Sequence, residues 1–340
     1  MTGPSRPRSR KLIMTQYGED FAACTAIVDA EVGEPAYGEV LVRNVYAGVN
    51  GVYDLNMVRD AVSYISYTPP TDLGIEVVGR IEKLGPGVRD FHVGDCVATW
   101  KVGTGYRDYQ IADVDRLYKV PAATPEILCL LPTGVSGMVG VEQVGALSTG
   151  EVVAVSAAAG GLGHIIVQVA KKAGNHVIGI CGGGEKSEKL TQIGCDRVID
   201  YRSEDVGAVL KAEYPKGINL AYDSVGGKIY DAFVDNLAVK GRLVMSGYTS
   251  EVGKPWEQVT SPRLYQKLYF RSASVRAFIN PHFEEFHPDA ARRLLAMYAA
   301  GELTVFVDPV PFTGLEDVPA AVSHLLSGKN LGKVVVKLEP

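Results

Sequence analysis

The chain has 340 residues, 46% hydrophobic and 21% charged, with a net charge of −5. That composition fits a soluble protein of about two domains, and it excludes nucleic acid or an anionic membrane surface as the main partner. The five cysteines, Cys24, Cys96, Cys129, Cys181 and Cys195, are scattered with no C-x-x-C pair. Neither a disulfide framework nor a zinc site is expected from such spacing, and a reducing, cytoplasmic compartment fits it.

Residues 1–10, MTGPSRPRSR, are basic and carry no apolar run, so they are expected to be disordered and are not a secretory signal. Organelle targeting by this basic start stays open. From Lys11 to about Val120, short strands alternate with Gly/Pro turns: Val40–Val45, Val77–Leu84 ending at Gly85-Pro86-Gly87, and another from Val93. This predicts an all-β, barrel-like segment. The pattern changes near Thr124, and residues 125–148 read as helix in two pieces.

The strand Val152–Ser156 then runs into A-A-A-G-G-L-G (Ala157–Gly163) and a helix over Leu162–Ala173, with Ile165, Ile166, Val169, Ala170 and Ala173 on one face. Strands at His176–Cys181, Arg197–Asp200, Asn219–Asp223 and Arg242–Met245 alternate with helices at Lys186–Ile193, Val206–Glu213 and Lys228–Leu237. Such alternation predicts βαβ units in a doubly wound parallel sheet, so the expected class is α/β. Ser272–Phe278 reads as one more strand. A long helix at Pro288–Ala300, a β segment near Val305–Pro309, a helix at Val318–Leu326 and a final strand Lys333–Leu338 close the chain, the last returning to the first domain.

A strand, a glycine-rich turn and a helix N-terminus in succession suit a phosphate, because exposed N–H groups and the helix dipole favour an anion there. A turn that only packs is the alternative reading of so short a motif. A dinucleotide site normally has an acid about 20 residues further on, for the adenosine ribose. Here the second strand ends in Cys181-Gly182, without a carboxylate. That removes repulsion against a 2′-phosphate. Lys186 opens the next helix where it can pair with one, and Tyr201 and Arg202 after the third strand can flank the same adenosine. NADP is therefore expected over NAD, although Glu185 turned into the ribose pocket would favour NAD.

Several motifs recur in a familiar order: G-I-E-V-V-G (Gly74–Gly79), V-G-D-C-V (Val93–Val97), A-A-A-G-G-L-G, K-K-A-G-N-H-V-I-G (Lys171–Gly179), I-G-C-D-R-V-I-D-Y (Ile193–Tyr201), D-S-V-G-G (Asp223–Gly227) and G-K-N-L-G-K-V-V-V (Gly328–Val336). Over nearly the whole chain they resemble the medium-chain dehydrogenase/reductase superfamily. Its zinc-free branch of quinone oxidoreductases, 2-alkenal reductases and prostaglandin reductases fits best. S-A-S-V-R-A-F (Ser272–Phe278) with M-S-G-Y (Met245–Tyr248) looks most like the prostaglandin reductase 3 subfamily. The resemblance implies a GroES-like β-barrel catalytic domain, residues 1–125 and 281–340, and a Rossmann NADP-binding domain, residues 126–280. Zinc-dependent relatives place a cysteine where this chain has Gly48-Val49-Asn50-Gly51, a histidine where it has Ile75, and four close cysteines where it has Cys96 alone. Asparagine and isoleucine cannot replace thiolate and imidazole, so no zinc is expected, and Glu76 is left a structural or polar-network role.

The resemblance further implies hydride transfer from NADPH to an enone, enal or quinone, with the developing oxyanion held by hydrogen-bond donors. Tyr248 is the first candidate donor, matching a tyrosine in the S-x-Y segment of prostaglandin reductases. Tyr53 and Tyr64, in a loop of the β domain, are weaker candidates and fit packing or the substrate wall better. The implied cofactor contacts are Asn50 and Ser136 near the nicotinamide or phosphates, and Ala159, Gly160, Gly161, Leu162 and Gly163 in the phosphate turn. Around the adenosine they are Cys181, Gly182, Lys186 and Tyr201. Ser246, Gly247 and Tyr248 follow the fifth strand, Phe278 lies beside the nicotinamide, and Asn330 stands in the returning loop, where forming the turn is its plain alternative. The loop Tyr248–Lys267 is long enough to be a lid. Ser272–Phe278 sits where relatives extend the sheet into a homodimer. Enoyl-thioester reduction, with Arg263, Lys267 and Arg271 as its basic surface, is the alternative activity. A crystallin-like cofactor-binding protein without turnover, or a scaffold that binds no nucleotide, are alternatives of another class. No serine–histidine–acid pattern points to a hydrolase.

Overall fold

The structure is a computed structural model, and it describes residues 9–62, 65–252 and 257–338. The expectations placed on residues 1–8, on Tyr64 and on Pro255-Trp256 of the expected lid lie outside the described residues. The chain divides into two compact units, residues 1–132 with 307–340, and residues 133–306.

The first unit opens with β1 (Ser9–Met14), which pairs antiparallel with β2 (Thr25–Ala30). Ser9 and Arg10, expected in a disordered tail, thus belong to a strand. The Arg10 N–H donates to Asp108 at 2.7 Å, and its guanidinium pairs with Glu316. Next come β3 (Glu39–Gly48), α1 (Gly51–Val58), β4 (Thr71–Asp72), β5 (Glu76–Leu84), β6 (Cys96–Trp100), β7 (Tyr109–Asp113) and β8 (Tyr118–Val120). Strand β4 joins β1, while β3, β5, β6 and β8 form an antiparallel sheet with β7 added on β3. Alternating inward residues Val40, Val42, Ile81, Val97 and Ala112 meet in its core.

After α2 (Pro125–Leu128) the helical run continues through a wide turn at Cys129–Gly134, α3 (Val135–Val139) and a second wide turn at Gly140–Val144. The sequence predicted two separate pieces here. Pro132 removes one helical donor, yet the backbone widens into π-type turns instead of breaking. The run is long and apolar enough to cross a membrane, and most of it is buried inside the fold.

The second unit is built from β9 (Val152–Val155), α4 (Gly163–Lys172), β10 (His176–Cys181), α5 (Glu185–Gln192), β11 (Arg197–Asp200), α6 (Val206–Glu213), β12 (Ile218–Asp223), α7 (Gly227–Asp235), β13 (Leu237–Met245), α8 (Leu264–Tyr269), β14 (Ser274–Ala277) and α9 (His287–Ala299). Its six strands are parallel, in the order β11-β10-β9-β12-β13-β14. This is the 3-2-1-4-5-6 order of a dinucleotide-binding sheet, with its switch point between β9 and β12. Covered faces explain the unbroken apolar runs, such as Val153–Val155 with no exposure.

The chain returns through α10 (Val318–Leu326) and β15 (Val335–Lys337), which pairs antiparallel with β3. Two expectations shift. Helix α9 stays with the second unit, because Arg293 holds Glu142 through two bonds of 2.6 and 2.7 Å, so the structural division falls at 306/307 and not at 280/281. Val305–Pro309 forms only a single bridge, Val307 to Lys333, and no strand. The Phe306 N–H is taken by His164, and Pro309 has no N–H to give.

Candidate active site

At the switch point of the second unit, Ser156 follows β9 and Asp223 ends β12. The Ser156 hydroxyl donates to Asp223 at 2.6 Å, and the Val225 and Gly226 N–H groups donate to the same carboxylate at 2.9 and 3.0 Å. Asp223 is fully buried. Burial raises its pKa, while Ser156 and the two backbone donors work against that rise. Ser246 after β13 donates its N–H to the Asp223 carbonyl at 2.8 Å. One carboxylate and its own backbone therefore tie the loops after β9, β12 and β13 together. Tyr248 sits on the last of these loops, half-buried, its Cα and Cβ each 3.2 Å from where a Cβ on Gly226 would stand. Gly247 passes over Ser224, 3.0 Å from its carbonyl oxygen by the same measure.

The phosphate turn needs its unusual composition. Ala157 has φ +45°, and the Gly160 N–H closes onto the Ala157 carbonyl at 2.8 Å. A Cβ on Gly163 would strike the Ala157 carbonyl oxygen and stand 2.7 Å from the Ala158 Cα, so α4 can begin here only with glycine. Gly161 and Leu162 complete the turn, Ala159 is buried, and in the first turn of α4 the His164 and Ile166 N–H groups donate to the Gly160 and Leu162 carbonyls, both at 3.3 Å.

His164 is buried in that first helical turn. The Phe306 N–H donates to its Nε2 at 2.9 Å, which leaves Nδ1 carrying the proton and donating to the Gly160 carbonyl at 2.8 Å. Burial pushes the imidazole pKa down to about 4, so the ring is neutral. These two bonds make His164 the fixture of the glycine turn. An imidazole among apolar helix positions was the available signal.

At the end of β10, Cys181 is buried, and the position of a Cβ on Gly182 lies 3.0 Å from Arg202 Nε and 3.1 Å from the Tyr201 hydroxyl. Tyr201 and Arg202 thus overhang the glycine loop, with Lys186 partly buried in the first turn of α5. Sequence reasoning missed Asp200. The register pairs it with Cys181, its carboxyl carbon lies 2.9 Å from a Cβ position on Gly183, and it accepts the Arg202 N–H at 3.0 Å. The acid absent from β10 stands on the neighbouring strand, its carboxylate accepting a backbone N–H.

The first unit holds a buried polar cluster. Asn50 precedes α1, and its N–H donates to Asp54 at 3.2 Å. Asp54 also accepts the Tyr106 hydroxyl at 2.7 Å, and burial pushes its pKa up to about 7. Lys333 pairs with Glu76 at 2.7 Å, both nearly enclosed, and donates to the Val49 carbonyl and Asn50 Oδ1 at 3.2 and 3.3 Å. A zinc ion does not fit this donor set: Glu76 already holds an ammonium, and Asn50 and Ile75 supply neither thiolate nor imidazole. Among the described residues no group of three His, Cys, Asp or Glu side chains is placed to hold a metal.

The remaining expected residues are spread over both units. The Tyr53 hydroxyl is engaged by that of Tyr67 at 2.6 Å. Ser136 is half-buried on α3, whose Gly137 packs on Ile166 of α4, beside the phosphate turn. Phe278 is buried against Gly140 and Phe283. The Asn330 amide closes its own turn onto the Gly332 carbonyl at 2.9 Å.

Comparison with known proteins agrees with this layout. The alcohol dehydrogenase GroES-like domain matches residues 36–122 and the zinc-binding dehydrogenase domain residues 161–296. Prostaglandin reductase-3 of Bos taurus is 40% identical over 343 residues, covering 98% of this chain and 90% of its own. The chain belongs to the medium-chain dehydrogenase/reductase family. A probable quinone oxidoreductase of Leishmania amazonensis is 36% identical over 345 residues, covering 100% of both chains, which places the protein in the quinone and prostaglandin reductase branch of the family. The crystal structure of CurA from Vibrio vulnificus in complex with NADPH superposes with a TM-score of 0.84 at 26% identity, covering 97% of this chain and 99% of that one.

Proposed function

We propose that this chain is an oxidoreductase that reduces the activated C=C bond of an α,β-unsaturated carbonyl, or a quinone, by metal-free hydride transfer from NADPH. The observation that carries the reading is the Ser156–Asp223 fixture at the switch point, with the glycine turn of α4 on one side and Tyr248 on the other. Names of relatives, a prostaglandin reductase and a quinone oxidoreductase, and the NADPH complex of CurA support it.

Bound NADPH supplies the hydride. The turn Ala159–Gly163, oriented by His164, binds the pyrophosphate. Lys186, Tyr201 and Arg202 bind the adenosine 2′-phosphate. Tyr248 donates a hydrogen bond to the substrate oxygen as it gains negative charge. The Tyr53 and Tyr67 hydroxyls pair with each other at 2.6 Å. Of the basic residues that the enoyl-thioester alternative would use, Lys267 is paired with Asp235 at 2.7 Å and Arg271 donates to the Asp235 carbonyl at 2.8 Å, which favours the carbonyl and quinone reading. The protein acts in the cytoplasm as a homodimer joined along the free edge of β14.

The Tyr248→Phe variant tests the assigned donor. It is expected to lower kcat on an enone about 10²-fold with NADPH affinity within twofold of wild type, the loss typical of one oxyanion donor. Unchanged turnover would remove this hydroxyl from the mechanism.

A further inference from the structure

We propose that Gln168 is a positioning residue for the phosphate turn, acting through the segment Thr304–Phe306 and the His164 imidazole. This rests on the NADPH reading above. Every group involved belongs to the second unit. Gln168 lies one helical turn after His164 on α4, and both side chains are buried. The Gln168 amide is fully committed. Its Oε1 accepts the Thr304 N–H at 2.8 Å, and its Nε2 donates to the Thr304 carbonyl at 2.8 Å and to the His164 carbonyl at 2.9 Å. The first two are the bonds that opposite residues exchange in an antiparallel strand pair. Flipping the amide would set N–H against N–H and oxygen against oxygen, so the pair admits one orientation.

Two residues on, the Phe306 N–H donates to His164 Nε2 at 2.9 Å. Matching spacings let both contacts form at once. Four residues of helix advance about 6 Å, and two residues of extended chain advance about 7 Å with their N–H groups on the same edge. Gln168 and His164 thus stand in for a neighbouring strand. Phe306 also stacks on the imidazole, with ring centroids 4.8 Å apart and planes 16° apart.

The consequence reaches the turn. A ring nitrogen that accepts an N–H carries no proton, so the proton stays on Nδ1, which donates to the Gly160 carbonyl at 2.8 Å. The other tautomer would set Nε2–H against the Phe306 N–H and a lone pair against the Gly160 carbonyl, losing both bonds. The Gly160–Gly161 peptide is planar and trans, so holding its carbonyl also fixes the direction of its N–H. Gln168 fixes where Phe306 stands, Phe306 fixes the tautomer, and the tautomer fixes the turn. Apolar side chains could also seat this segment on α4, but only polar ones select a tautomer.

The first test uses the unaltered protein. Coupling is reciprocal: if the clamp favours the turn that binds NADPH, then NADPH holds the clamp closed by the same factor. Saturating NADPH is expected to slow amide hydrogen exchange at Thr304 and Phe306 about tenfold, and at Ala173 beyond the far end of α4 by less than about twofold. The ring nitrogen shifts of His164 should show Nε2 unprotonated. The second test is a mutant cycle read by NADPH dissociation constant from nucleotide fluorescence, by kcat and by Tm. Gln168→Leu is expected to weaken NADPH about tenfold, the worth of about one net hydrogen bond, with kcat at saturating NADPH within about twofold of wild type. His164→Leu already removes the ring, so adding Gln168→Leu to it should weaken NADPH no further. Unchanged exchange at Thr304 and Phe306, equal slowing at Ala173, a proton on Nε2, wild-type affinity in Gln168→Leu whatever its Tm, or additive losses in the double variant would each overturn the proposal while leaving the functional reading intact. Exchange and ring shifts decide the matter even where a variant does not fold. Failure of the wild-type protein to bind NADPH would overturn both.

Discussion

Single residues carry unusual electrostatic work in this fold. Asp54 has its pKa pushed up to about 7 by burial, against an ordinary value of 3.8. Between those values the native protein keeps a proton that the unfolded chain has already lost, so Asp54 costs stability progressively as pH rises from about 4 to 7, at up to about 1.4 kcal/mol per pH unit. An Asp54→Asn variant has no such proton to lose. Its Tm relative to wild type is therefore expected to rise from pH 4 to 7 and level off above; a pH-independent difference would show that Asp54 is ionised in the native state. His164, whose depressed pKa acts in the opposite direction, is common to both proteins and cancels. Neither residue was legible in the sequence as more than a polar side chain within an apolar run. Asn50, Ser136, Lys186 and Tyr201 were named from the sequence because the chain around them resembles the family. Asp54, Tyr106 and Lys333 owe their roles to partners 52 to 284 residues away in the chain, and Asp200 to a strand register, which no local pattern records.

Elements were read more reliably than residues. Each strand of the parallel sheet ends within a few residues of its expected boundary, because short apolar β-branched runs bounded by polar or small residues leave few alternatives. The expectations failed where tertiary partners override pattern: the run from α2 through α3 widens instead of breaking at Pro132, and Val305–Pro309 spends its N–H groups elsewhere. The turn before α4 is the element whose chemistry can be tested most sharply. Gly163→Ala forces a Cβ onto the Ala157 carbonyl oxygen, whereas a Cβ on Gly160 meets that oxygen only at 3.1 Å. Gly163→Ala is expected to weaken NADPH more than tenfold, and Gly160→Ala less than threefold, the difference a shifted phosphate turn should make. Titration of nucleotide fluorescence checks both. Equal effects would mean that the turn can move without loss of the site.

At the scale of the whole molecule, the edge of the parallel sheet faces outward. Strand β14 ends its sheet, and near it Tyr269 and Phe270 are 75% and 86% exposed. Exposed aromatics beside an unpaired strand edge mark an association surface, the basis for the proposed homodimer. Phe270→Asp is expected to shift sedimentation equilibrium toward the monomer by at least tenfold in dissociation constant; an unchanged mass would place the contact elsewhere. The central claim concerns the reaction. The direct measurement is oxidation of NADPH, beside NADH, by the purified protein against simple enones, enals, 15-keto-prostaglandin, quinones and crotonyl-CoA. The expected result is turnover of enones, enals or quinones with NADPH, far slower turnover with NADH and none of crotonyl-CoA. Equal use of NADH would contradict the roles of Lys186 and Arg202, and NADPH binding with no turnover of any electrophile would contradict the reductase itself.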